Sequence, residues 1–105
     1  MEAINHYQRY YLSYSGTGLP LQMVSPISTD EIANRNTFFG VCNDDAGRVT
    51  LIHKRVYGEV ELEHRYGYDD QGRLQWAEIR ALDDEACRLV FGSEGQLLSQ
   101  EELTD

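Results

Sequence analysis

Lysine is almost missing from this chain. Lys54 stands alone among nine basic residues, the other eight being arginine, and eighteen Asp and Glu bring the net charge to −9. Residues 1–40 hold three acids and two bases, residues 41–82 eight and six, and residues 83–105 seven acids against Arg88 alone. Nucleic acid and anionic membranes both require clustered cations, so neither is an expected partner. No stretch approaches the ~20 apolar residues of a membrane span. The first thirty residues lack a basic start followed by an apolar run, so no secretory signal is expected and the cytoplasm is the expected location. Cysteine is also scarce. Cys42 and Cys87 have no C-x-x-C companion and read as small apolar strand residues.

Turns are what the sequence supplies freely. Asn43-Asp44-Asp45-Ala46-Gly47-Arg48-Val49 returns as Tyr68-Asp69-Asp70-Gln71-Gly72-Arg73-Leu74, and more weakly as Phe91-Gly92-Ser93-Glu94-Gly95-Gln96-Leu97. Asp favours the opening of a type I turn, and Gly accepts the positive φ that closes a bulged hairpin loop. Tyr57-Gly58 and residues 82–85 add two further turn signals. Strands are expected over 37–42, 48–57, 59–68, 74–82 and 87–91, with a Tyr-rich N-terminal strand within 6–15. Pro20 marks 19–24 as an edge or extended segment. Ser28 and Glu31 have capping-box spacing and predict one short helix near residues 29–35. The expectation is a single α+β domain over residues 1–105, mainly β. It comprises an antiparallel meander of five to six strands, one short helix and a frayed acidic tail over 99–105.

A two-residue turn at Tyr57-Gly58 would pair Val56 with Glu59, Lys54 with Glu61 and Ile52 with Glu63. Glu59, Glu61 and Glu63 would then form a solvated ladder. His53 and His64 would lie diagonally on the opposite, core-facing side, ~7–8 Å apart between Cβ atoms. That pair could line a pocket, with His6 or a carboxylate arriving from elsewhere. No third metal ligand stands nearby in sequence, so hydrogen-bonded structural histidines are the simpler reading, and no metal or cofactor is expected. The glutamates meet the ~5–9 Å carboxylate separation of glycosidases, but Lys54 and Arg65 beside them favour ionised, solvated acids. The Asp pairs at 44–45 and 69–70 lack the alternating ligands of a calcium loop and read as turn chemistry. No phosphate loop or nucleophile elbow is present.

The turn Tyr68-Asp-Asp-Gln-Gly-Arg-Leu74 resembles the Y-D-x-x-G-R-L motif of YD (Rhs-type) repeats, which closes successive hairpins. That resemblance spans residues 43–97, with Asn43 replacing the Tyr in the first copy. Tyr11-Leu-Ser-Tyr-Ser-Gly, Leu19-Pro-Leu, Pro26-Ile, Asn34-Arg-Asn and Tyr57-Gly-Glu-Val-Glu-Leu-Glu-His64 together resemble a family of small bacterial proteins of unknown function. This second resemblance implies no catalytic residues.

Small size, negative charge and a Tyr-rich sheet point to a non-catalytic protein-binding module of the toxin-neutralising (immunity) or inhibitor type, meeting a basic protein. Tyr66, Tyr68, Trp76, Glu59, Glu61 and Glu63 are its candidate contacts. The alternatives are a small enzyme or ligand-binding domain using a His53/His64 pocket, and a structural homodimer.

Overall fold

A computed structural model describes residues 7–82 and 86–103. The chain forms eight strands: β1 (Arg9–Ser15), β2 (Gln22–Ile27), β3 (Thr37–Asn43), β4 (Val49–Val56), β5 (Glu59–Tyr68), β6 (Leu74–Ala81), β7 (Ala86–Phe91) and β8 (Leu97–Leu103). One sheet contains them all, in the order β2-β1-β3-β4-β5-β6-β7-β8, with every neighbouring pair antiparallel. The mainly antiparallel reading therefore holds, with eight strands instead of five or six. Two of the additional elements lay in segments read as extended or frayed. β2 crosses Pro26, and β8 occupies most of the expected tail, pairing with β7 along its length. Residues 104 and 105, like His6 and most of the turn expected at 82–85, lie outside the described residues.

The helix α1 (Thr29–Ile32) is a single turn. Its capping box is complete, with Ser28 Oγ accepting from Glu31 N and Glu31 Oε1 accepting from Ser28 N. So short a helix depends on its caps and its place in the connection, since nucleation alone disfavours it.

Both Asp-x-x-Gly turns share one geometry. Asp44 Oδ1 accepts from the Ala46 and Arg48 amides while Oδ2 holds Arg48 Nε at 2.9 Å. Asp69 does the same for Gln71, Arg73 and Arg73 Nε. Gly47 and Gly72 adopt φ of 84° and 80°. In the third turn Gly92 replaces the Asp, and the side chain of Gln96 accepts from Glu94 N instead.

The sheet is buried on both sides only at its centre. On one face Phe39, Val41, Ile52, Tyr66 and Ala77 form the core, completed by Leu21 from the β1–β2 connection. That connection crosses over the sheet, and Leu21 N donates to Tyr66 Oη at 3.2 Å. On the other face Tyr7 lies flat against Gly40; a Cβ there would stand 2.3 Å from the Tyr7 ring. Trp76 covers Gly67 on that side in the same way. The radius of gyration, 14.1 Å, exceeds the ~13 Å of a compact domain this long, as suits one spread sheet with only its middle covered.

Candidate functional site

The β4–β5 hairpin decides where the candidate residues point. Its turn is the expected two-residue one: Val56 pairs with Glu59, and Tyr57 and Gly58 take φ of 51° and 84°. After Arg55↔Val60, however, Lys54 pairs with Leu62, so Glu61 is an extra residue in β5. This bulge shifts the remaining pairing by one and turns the rest of β5 over relative to the expected register.

Ile52 therefore opposes His64, and His53 opposes Glu63. The two histidines stand on opposite faces, which overturns the shared His53/His64 pocket. The glutamate ladder is also broken. Glu59 is exposed at the hairpin end, Glu61 pairs with Lys54 at 3.0 Å, and Glu63 is half-buried between His53 and Arg65.

His53 is 2% exposed and sits in a continuous chain of hydrogen bonds. Its Nδ1 lies 2.8 Å from Tyr7 Oη, and its Nε2 lies 2.7 Å from Glu63 Oε2. Arg55 Nη1 donates to Tyr7 Oη at 3.1 Å, and Arg65 Nε donates to Glu63 Oε1 at 3.0 Å. A neutral imidazole protonated on Nε2 satisfies both ring nitrogens: Tyr7 donates to Nδ1, and Nε2–H donates to the Glu63 carboxylate. Burial holds His53 below the ordinary imidazole value, with the Glu63 hydrogen bond opposing. Burial also pushes the Tyr7 phenol up, against the Arg55 contact. For Glu63, burial pushes the carboxyl up, but His53 and Arg65 outweigh it and the net direction is down. A Tyr–His relay would need a tyrosinate beside an imidazolium, and both shifts oppose that charge separation. The trio fixes Tyr7, and with it the approach to β1, onto the sheet.

On the core face His64 Nδ1 lies 2.6 Å from Tyr66 Oη. Tyr66 thus donates to His64 and accepts from Leu21. Burial pushes His64 down to about 4 and Tyr66 up to about 12. Tyr66 is 3% exposed, so it belongs to the core and is removed from the candidate contact surface. Tyr68 is half-buried, donates to Val49 O at 2.6 Å, and has the Arg48 guanidinium over its ring. Trp76 is half-buried on the opposite face beneath Arg88, which pairs with Glu78. The six expected contact residues are not brought onto one surface.

The structure instead forms a site that the sequence reading did not single out. A trough of about 870 Å³ lies on the core-side face over β6–β8. Leu19, Leu74, Ile79, Leu89, Phe91 and Leu97 give it an apolar lining, and Thr17, Arg73, Ser93, Glu94 and Gln100 give it a polar rim. The Gly16–Leu21 connection walls one side, and β8 walls the other. Leu97 and Leu98 are 52% and 61% exposed, unusually open for consecutive leucines. The alternation of Cys87, Leu89 and Phe91 was the available signal, but without β8 those side chains read as ordinary core. Cys42 and Cys87 are not joined in a disulfide; Cys87 lines the trough, while Cys42 pairs with Leu51 in the other half of the sheet.

Among the described residues no group of three metal-ligating side chains converges, and no helix is long and apolar enough to cross a membrane. No curated protein and no solved structure matches the chain. The segments quoted from residues 11–64 implied a small family without an assigned activity. A model described as a family of unknown function (DUF6156) matches residues 3–100, and the chain belongs to that family.

Proposed function

We propose that this protein is a non-catalytic binding module, of the inhibitor or toxin-neutralising kind, that receives a basic protein partner in the cytoplasm at the β6–β8 trough. The observation that carries this reading is an open apolar trough beside the most acidic part of the chain. Glu94 stands on its rim, and on β8 Glu102 opposes the trough-lining Cys87 while Glu101 adds a second acid on the reverse face of the same strand. Apolar lining supplies contact area, and flanking acids steer and orient a cationic partner. This placement moves the proposed contacts from Tyr66, Tyr68, Trp76 and the β5 glutamates to the trough-facing side of β6–β8.

Site-specific photocrosslinking in the producing cells tests the reading. A crosslinker at Leu97 or Gln100 should yield a discrete adduct with one basic protein, while one at Glu59 should not. No adduct from either trough position, or the same adducts from Glu59, would remove the proposal.

A further inference from the structure

The sheet has two edges, and they are unlike. At β2 the edge is interrupted by Ser25, with φ of 61°, and by Pro26, which lacks an amide hydrogen. At β8 neither device is present. Its seven residues include no proline and no positive φ, and among the described residues nothing pairs with its outer side. Six of those seven residues are exposed. Alternate residues of β8 therefore offer N–H and C=O groups outward.

Side chains on this edge sort by face through the β7 register. Gln100 opposes Leu89 and Glu102 opposes Cys87, and Leu89 and Cys87 both line the trough. Glu101 opposes Arg88, which points to the other face with Trp76. Acids thus stand on both faces of β8 at consecutive positions. Two copies of β8 pairing antiparallel over Leu97–Leu103 would make the two Glu101 side chains diagonal neighbours on one face and gather four acids on one short ladder, an unfavourable accumulation of like charge. A basic strand meets no such penalty.

From these features, and resting on the docking reading above, the geometry points to β-strand addition at β8. An extended segment of the partner pairs with the outer edge of Leu97–Leu103. It places basic side chains opposite Glu101 and Glu102 and an apolar side chain opposite Gln100, where it lies over the trough. Main-chain hydrogen bonds then supply affinity while alternate side chains supply selection. The exposed Leu97 and Leu98 become part of the covered surface.

A fluorescent peptide carrying Lys-Lys-Val-Thr-Leu, antiparallel to Glu102 through Leu98, is the probe. Anisotropy titration should show saturable binding, and a Glu-Glu version should bind weaker by about fivefold per charge pair. The Glu101→Lys/Glu102→Lys variant should reverse that order, which also shows that it is folded. Two further peptides carry backbone N-methyl groups on alternate residues. The set whose amides face β8 should lose at least tenfold in affinity, and the other set should bind as the parent does. Equal behaviour of the two N-methylated peptides, or no saturable binding by the parent, overturns strand addition. Should the Leu97 and Gln100 crosslinks nevertheless form, the docking reading stands without it. Should those crosslinks fail, the docking reading falls whatever the peptides do.

Discussion

His64 is a neutral imidazole held inside the core, and protons should therefore destabilise this fold well above the range where carboxylates titrate. Its folded value is about 4, against ~6.5 for an unfolded chain. The folded state binds fewer protons in that window. Stability is thus intact above pH ~6.5 and falls as the pH drops toward 4, by up to ~1.4 kcal/mol per pH unit for one proton. His53 is shifted in the same direction. Asp44 and Asp69 are also held down, first by the Arg48 and Arg73 amides, but their loss comes at lower pH. Urea unfolding at pH 7 and pH 5 should show a clear drop in midpoint, and His64→Gln should flatten it. An unchanged slope in the variant would mean His64 is not the sensing group. Two glycines give a second prediction at this scale. Gly67→Ala would put a Cβ 1.9 Å from Trp76 Nε1, and Gly40→Ala one 2.3 Å from the Tyr7 ring. Each should cost about 1–3 kcal/mol as the ring is displaced. Trp76 is the only tryptophan, so its emission should shift to the red in Gly67→Ala and stay put in Gly40→Ala.

Among elements, the turns were legible and the register was not. Asp and Gly at fixed offsets carry their own geometry, so the loops at 44–47 and 69–72 could be read from local chemistry alone. The turn at Tyr57-Gly58 was likewise found. One added residue, Glu61, then reversed the facing of everything beyond it. It turned an expected ladder of acids into a part-buried His53–Glu63 pair and separated His53 from His64. A bulge has no short sequence signature of its own here, because Lys54 and Glu61 read equally well as directly opposed partners. β8 was missed for a different reason. Ser99, Gln100, Glu101 and Glu102 carry little strand preference, and pairing with β7 supplies what propensity does not. The three loops also yield a prediction. Gly92→Asp alone would bring its Cβ to 2.6 Å from the Gln96 side chain. Adding Gln96→Arg removes that obstruction and restores the Asp–Arg arrangement of the other two turns. The double variant should melt higher than Gly92→Asp alone; the reverse order would show that the third loop cannot adopt their geometry.

At the scale of the molecule, charge and edge design act together. The β2 edge is irregular, and the β8 edge is regular but acidic. Removing the acids should expose the underlying pairing tendency. Glu101→Val/Glu102→Thr should self-associate as concentration rises, while the unaltered protein keeps one mass by light scattering under the same conditions. A concentration-independent mass for the variant would show that something other than charge keeps β8 apart.

The strand order β2-β1-β3 also has a consequence for how the chain is made. From β3 to β8 each strand pairs with its sequence neighbour, so that part can assemble as it emerges. The β1–β2 connection cannot. Leu21 rests on Tyr66, 45 residues downstream, and shares its core with Ala77. β1 can pair with β3, but the Leu21 connection finds its seat only after β5 and β6 have been made. Pulse-labelled amide exchange should accordingly show β4 and β5 protected before β1 and β2. The connection that opens the sheet is the last part of it to find its place.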